Sequence, residues 1–369
     1  MKTRNLIPFV LLLSTQAFAF EGIVRQYQSV RSSGMGGVRI TTGLYEENFH
    51  GNPARATANP KWKVGLPDPT VEVNSKAIST AGDLTGDGGI STIANTAGDN
   101  NHARVQLTFP SFYIPPGENG NWGWGFGVIF SIQADVSLRN SFTAVTEAVM
   151  DAGPAFTAAY RGILEDKSLS VGITAKAMGR ATGKPETSVA DVLRDPGEII
   201  TAEDAKRGVS IDFDLGATYK LPYKIDEIDF TVGASINNLL GGKFDHFAVS
   251  EFANGTKNPP KAQPRTLGFG VAVHQPTMWV FSDPVAALEF TDIGNNPDGS
   301  LFKTVHLGME LTYGRLRPRF GVNQGYFTGG LSADLTAILI ELATYGEEIS
   351  TNVGARQDRR FAVRLGFQI

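Results

Sequence analysis

The sequence contains no cysteine. Neither a disulfide framework nor a thiolate metal site can form, and no cysteine nucleophile is available. Histidine is nearly as scarce: His50, His102, His246, His274 and His306 complete the set, and no two stand at metal-ligand spacing. HExxH and GxSxG are absent too, and no nucleophile and base converge in the pattern, so neither an enzyme nor a metal or cofactor site is expected. The chain also lacks a basic excess. Its formal charge of -4 and pI near 5.8 give no pull toward nucleic acid, which is set aside as a partner.

Long apolar runs are missing as well. No stretch reaches the roughly 18 residues that mark a membrane helix, so the mature chain is either soluble after export or crosses a membrane as strands. Export itself is written at the start. Lys2 and Arg4 precede the short apolar run Leu6 to Leu13, and Ala17-Phe18-Ala19 supplies a small-x-small cleavage signal. Residues 1–19 are expected to be a signal peptide cleaved before Phe20.

What is present is a strand-forming mixture: 42 glycines, 23 phenylalanines and 41% hydrophobic residues at a mean hydropathy of -0.10. Polarity alternates with period two in one segment after another. Ile211, Phe213, Leu215, Ala217 and Tyr219 share one face, opposite Ser210, Asp212, Asp214, Gly216 and Thr218. Beyond Pro222, Ile228, Phe230, Val232, Ala234 and Ile236 repeat the pattern, which makes the pair a hairpin. Fourteen such segments fall between residues 62 and 369, an even number. A soluble β-sandwich also alternates. Two features favour a closed transmembrane antiparallel β-barrel of about 14 strands over it. The segments approach the 9 to 11 residues that a tilted strand needs to cross a bilayer, and their polar faces are rich in charge, as a solvated lumen permits.

The last strand runs Asp358 to Ile369, with Phe361, Val363, Leu365, Phe367 and Ile369 on one face. Its form is similar to the C-terminal strand by which the outer-membrane assembly machinery recognises its substrates, although that signal usually ends in an aromatic residue. Among the polar faces, His274, His306, Glu310, Arg317, Arg319 and Arg364 are expected to look into the lumen. The arginines could form a basic strip, or balance Asp212, Asp214, Asp229 and Glu310; pairing is the expected outcome.

Three kinds of segment break the alternation. Residues 20–60, rich in glycine and polar side chains, are expected to form an N-terminal hatch or plug ahead of a barrel over 61–369, because a wide lumen left empty would leak. Ser141 to Ala152 shows helical spacing at Phe142, Val145 and Val149 and is expected to be a short helix. Residues 77–103, 186–206 and 241–264 are expected to be long connections. The first holds Asp83-Leu84-Thr85-Gly86-Asp87-Gly88, which imitates a calcium loop but lacks the acid at position 12, where Ala94 stands. The third carries Phe244, Phe247 and Phe252, either a landing site for an apolar ligand or an anchor at the lipid headgroups.

Gly34, Gly36 and Gly37 in a GMGG stretch, followed by Asn52-Pro53-Ala54, resemble the hatch region of the long-chain fatty-acid transporter family (FadL-type). Arg319 to Tyr326, Ala343 to Glu348 and Asp358-Arg359-Arg360 are similar to its TraF-like branch. The resemblance implies a 14-stranded outer-membrane barrel whose hatch gates a ligand pocket through Gly34, Gly36, Gly37, Asn52, Pro53 and Ala54. It implies passive uptake of hydrophobic small molecules such as fatty acids, with outer-membrane lipid and the assembly machinery as further partners. The alternative it carries is a non-transporting component of a secretion or conjugation apparatus, which would bind a protein partner. For Asn52-Pro53-Ala54 a plain Asx-Pro turn is the local alternative.

Overall fold

The computed structural model describes residues 25–84, 100–138, 143–183, 186–188, 206–245, 259–295, 300–350, 354 and 356–367. The signal-peptide segment, the Thr85 to Gly88 part of the calcium-like loop, His246, Phe247, Phe252 and Ile369 lie outside these residues.

The chain forms a closed 14-strand antiparallel β-barrel. β1 comprises Lys63–Gly65 and Thr70–Asn74, two pieces in one register on β2, Asn100–Ile114, with Lys63 opposite Tyr113 and Thr70 opposite Gln106. Between the pieces Asp68 takes over the ladder, its carboxylate accepting the Thr108 amide at 2.9 Å. β3 (Trp122–Leu138) and β4 (Thr143–Tyr160) follow, then β5 (Leu169–Thr182, continued by Glu186–Ser188), β6 (Lys206–Lys220) and β7 (Asp229–Asn237). β8 is Thr266–His274 with Thr277–Met278, β9 Phe281–Ile293, β10 Val305–Thr312 and β11 Leu316–Asn323. β12 (Tyr326–Asp334), β13 (Ile338–Glu348) and β14 (Gln357–Phe367) complete the wall. Closure is made by β14 on β1, from Arg360 opposite Asn74 to Arg364 opposite Thr70. With no free edge, every strand finds both partners inside the sheet.

The side-chain distribution is inverted relative to a water-soluble protein. On β14, Phe361, Val363, Leu365 and Phe367 are exposed while Arg360, Ala362 and Arg364 are buried. On β6, Ser210, Asp212 and Asp214 are buried and Leu215 is exposed. An outer surface of this kind suits hydrocarbon, and a polar interior suits a wet lumen. No helix among the described residues is long and apolar enough to cross a membrane.

Connections of different length separate the two ends. The turns at 115–121, 161–168, 221–228, 279–280, 313–315 and 335–337 share one end with the entry to β1 and the exit of β14. Near that end the outer face carries aromatic side chains. Trp122 packs on Tyr160 at 4.8 Å and on Trp124 at 5.2 Å between ring centroids, and Trp279 is 89% exposed in its turn. Rings of this kind fit the polar boundary of a bilayer.

Two expectations require correction. Residues 143–152 are not a helix: they open β4, whose ladder to β3 runs unbroken from Leu138 opposite Ala144 to Trp122 opposite Tyr160. Their alanine, glutamate and methionine content favours a helix locally, and the long pairing overrides it. Residues 77–103 are not wholly irregular either, since α2 (Ser75–Leu84) follows β1 and β2 begins at Asn100.

Candidate functional site: the lumen segment and its wall

Residues 25–60 run inside the barrel. The segment contains a five-residue helix, α1 (Val30–Gly34), all of it buried, and two 3-10 turns at Tyr45–Phe49 and Pro53–Ala58. α1 starts at Ser29, whose hydroxyl oxygen accepts the Ser32 amide at 3.2 Å. So short a helix cannot hold itself together in water, and the wall supplies what it lacks.

The wall meets the segment first through charge. Arg31 donates to Glu310 on β10 at 3.0 and 3.1 Å, and to Glu47 and the Thr42 carbonyl of its own segment at 3.0 and 3.1 Å. Glu310 also receives Arg319, which donates to Glu341 at 3.0 Å and to Ser332 at 2.9 Å. Glu341 is shared with Arg364 at 3.1 Å, and Arg364 in turn pairs with Glu46 and Asp68. The chain of pairs leaves the segment at Arg31, crosses four wall residues and returns to it at Glu46. Such buried pairs add little net stability, yet breaking one strands a charge, so they fix register more than they add strength.

A second contact is built from backbone. Glu289 on β9 accepts the consecutive amides of Arg39, Ile40 and Thr41 at 2.7, 2.8 and 2.7 Å, and the Thr41 hydroxyl at 2.6 Å. Four donors on one carboxylate leave the acid satisfied without a cationic partner.

The third contact is close approach. Gly36 has φ +68, and a Cβ there would lie 2.2 Å from the Leu307 carbonyl oxygen. The neighbouring Gly37, with φ +92, leaves room for His306, whose Nδ1 lies 2.7 Å from the Gly36 carbonyl and donates to it. Gly34 faces Gly330 on β12. At the other end of the segment Asn52 is fully buried and makes both a local and a wall contact. Its Oδ1 accepts the Ala54 amide at 3.0 Å, an Asx cap, while Nδ2 donates to Ile40 O at 2.9 Å and to Ala217 O of β6 at 3.1 Å. Pro53 and Ala54 lie against Gly172 of β5.

Three apolar clusters interrupt this polar interior; two are small, Met35 and Val38 on Ala272 and Ala287, and Val30 on Ala343 and Ala362, and the third is an aromatic island. Tyr27 and Phe49 of the segment pack with Tyr113, Ile129, Ala155 and Met178 of the wall and with Phe244, which Arg180 covers at 4.5 Å from the ring centre. Phe244 therefore points inward, away from lipid. Beside the island, toward the end with the longer connections, is a polar cavity of about 40 Å³ lined by Arg25, Arg39, His50, Lys176 and Asp292 among others. His50 stacks on Tyr27 at 5.7 Å, and burial together with Lys176 and Arg39 pushes its pKa well below the usual imidazole range.

The expected site residues divide accordingly. Gly34, Gly36, Gly37, Asn52, Pro53 and Ala54 all lie between segment and wall, and His306, Glu310, Arg319 and Arg364 meet that segment or its partners. His274 and Arg317 do not join them. They sit half-exposed at the short-turn end, 3.6 Å from Asp283 and 3.7 Å from Asp334 respectively. Arg25, Arg31, Arg39, Glu46, Glu47, Glu289 and Asp292 escaped the sequence reading. The available signal was the charge of residues 25–47 themselves, since charges carried into a barrel need partners on its wall. His102 was missed too. Its ring nitrogens each lie 2.8 Å from a carboxylate, Asp135 and Glu72, and because carboxylates only accept, both nitrogens donate.

No protein-family model matches this chain, and no curated protein matches it. Solved structures do. A structure titled CymD monoaromatic hydrocarbon channel is 13% identical, with a TM-score of 0.52 over 95% of this chain and 98% of that one. The Ralstonia pickettii toluene transporter TbuX is 12% identical, with a TM-score of 0.51 over 93% and 98%. A TodX monoaromatic hydrocarbon channel mutant is 13% identical, with a TM-score of 0.51 over 92% and 98%. At such identity these likenesses establish the fold: the chain shares the barrel architecture of these proteins along nearly its whole length.

Proposed function

We propose that the chain is an outer-membrane channel for passive uptake of hydrophobic small molecules, with residues 20–60 as its hatch and 61–369 as its barrel. One observation carries this reading: the largest of three apolar clusters described in the lumen bridges hatch and wall with aromatic rings, from Tyr27 and Phe49 to Tyr113, Ile129, Met178 and Phe244. A hydrophobic solute gains by replacing part of this packing with its own apolar surface. The structures of like fold are titled as channels or transporters of aromatic hydrocarbons, which supports the same reading. Fatty acids remain the second solute class to test. Gly34, Gly36, Gly37, Asn52, Pro53 and Ala54 would act as the gating contacts, and the outward residues Phe361, Val363, Leu365 and Phe367, with Ile369, as the strand recognised during assembly. No energy source is required, since the solute runs down its own gradient.

Labelled toluene and a labelled fatty acid, offered to cells with and without the protein, test the proposal. Faster uptake of either with the protein present supports it; equal rates for both reject it.

A second reading has one observation in its favour. The polar cavity beside the island, about 40 Å³, is too small for a hydrocarbon ring. A barrel whose lumen stays filled by its own segment would serve as a non-transporting component of a secretion or conjugation apparatus. Stoichiometric recovery of a protein partner from detergent-solubilised outer membranes, with no effect on uptake, would favour it.

A further inference from the structure

The seven buried residues of the aromatic island are each at most 7% exposed, so a solute reaches the island only by taking the place of one of them. They differ in what holds them. Tyr27 and Phe49 belong to the lumen segment, which is tied to the wall through Arg31, Glu46 and the amides on Glu289. Tyr113, Ile129, Ala155 and Met178 stand on β2, β3, β4 and β5, within the barrel ladder. Of the seven, Phe244 alone comes from a connection, the one between β7 and β8. It enters from the end with the longer connections, which in barrels of this kind faces out of the cell.

The connection reaches the lumen as a short arm. Asp212 on β6 accepts the amides of Leu240 at 2.8 Å and Gly242 at 2.6 Å, and the Gly242 carbonyl accepts the Gln263 amide of the returning limb at 3.0 Å. Gly241 and Gly242 have φ of +85 and +50, a backbone that favours glycine. Past this anchor Phe244 runs against Gly208 of β6, where a Cβ would lie 2.0 Å from the Phe244 carbonyl oxygen. Arg180 on β5 stands over the phenyl ring at 4.5 Å. Four hydrogen bonds hold that guanidinium: two to Asp151 at 2.7 Å, one to Gln263 at 2.8 Å and one to the Lys261 carbonyl at 2.9 Å. Fixed in this way, it presents the ring with positive charge, which an aromatic face attracts and a saturated chain does not.

We propose that the Phe244 ring is a built-in occupant of the place a solute takes in the island, and that a solute enters by displacing it, the arm turning about Gly241 and Gly242. The inference rests on the reading of the chain as a channel for hydrophobic solutes and adds the residue that competes with them. Phe244 is the member of the island whose departure breaks no strand ladder and no ion pair of the lumen segment. Whatever replaces it meets Arg180, which Asp151 continues to hold. The vacated place has the size of one phenyl ring, and the cation facing it favours an aromatic ring over a saturated one of equal bulk. Displacement also sets a threshold. The solute's burial is offset by the exposure of a phenylalanine side chain, so the apparent affinity is lower than the island alone would give.

Bromobenzene is the probe, since anomalous scattering locates its bromine in crystals of the full-length mature protein grown over a series of concentrations. In the wild type the expected result is a bromobenzene ring in the island beside Arg180, with the Phe244 ring moved out. Phe244→Ala removes the competitor, and the same place is expected to fill at about 10- to 100-fold lower concentration, the factor that burial of one phenylalanine side chain corresponds to. Gly208→Ala keeps the phenyl ring in the chain but takes the seat of its backbone, and is expected to shift filling in the same direction. Bromocyclohexane, of like bulk without a π face, should need about 2- to 30-fold more to fill the place. Bromobenzene bound while Phe244 stays in the island, equal filling of wild type and variants, or a place that fills in none of them overturns the proposal. Should one variant fail to fold, the other and the wild type still decide. Toluene uptake by cells separates this inference from the channel reading: uptake that persists while Phe244 stays in place rejects the inference alone, and absent uptake rejects the channel.

Discussion

Gly216 of β6 and Asn52 of the lumen segment occupy adjoining space so tightly that a Cβ on residue 216 would lie 2.0 Å from Asn52 Oδ1. The wall lacks a side chain at the point where the segment turns, and the turn fits only because it does. Gly216→Ala is therefore expected to push the Asn52-Pro53 turn off the wall at a cost of about 1–3 kcal/mol, the usual range for overpacking. The barrel ladder of β6 stays intact, so limited proteolysis should cut residues 40–58 faster in the variant while the barrel still resists heat in detergent. Unchanged protection would show that the turn is not held there.

Glu289→Gln removes a carboxylate that accepts four donors. The amide retains one acceptor oxygen and turns its NH2 toward groups that also donate. A loss of about 1.5–3 kcal/mol at this anchor follows from the strength of hydrogen bonds to charged groups. Hydrogen exchange at the amides of Arg39, Ile40 and Thr41 should accelerate by about 10- to 100-fold.

Arg364 is held by Glu46, Asp68 and Glu341. Arg364→Met leaves three buried carboxylates to repel one another and is expected to cost about 3–5 kcal/mol. Combining it with Glu341→Gln should recover part of that loss, since one stranded charge disappears. Urea unfolding in liposomes measures both, and strict additivity of the two substitutions would contradict the coupling.

Acid should loosen the segment through His50. Its folded pKa lies well below the unfolded value near 6.5, so between the two the unfolded state binds the extra proton. Stability contributed by this group is complete above the unfolded pKa and falls as pH drops through that window, by up to about 1.4 kcal/mol per pH unit. His50→Gln should flatten this component when proteolytic release of the segment is compared between about pH 5 and pH 7.5.

The fold was largely legible because a period of two survives wherever a strand separates lipid from lumen. Each of the fourteen alternating segments corresponds to a strand, and Phe361, Val363, Leu365 and Phe367 lie on the outward face that their spacing implies. β4 was the failure. In Ala144, Glu147, Ala148 and Met150 local composition favours a helix, and the deciding term is a ladder to β3 that no local window contains. The site was legible in part: Gly36 and Asn52 mark close approach and a cap, both readable from residue type. Glu289 and Arg31 were not, since their meaning is a partner some 250 residues or more away. His274 and Arg317 have the right parity but stand too near the strand ends to meet anything within.

The relation between the segment and the barrel it fills is tested most directly by single-channel conductance in planar bilayers, comparing the full mature chain with one lacking residues 25–58. A closed or barely conducting full-length protein, against a stable and much larger conductance for the shortened one, is the expected result. Equal conductance from the two proteins would mean that the segment does not occupy the lumen, and the contradiction would be complete.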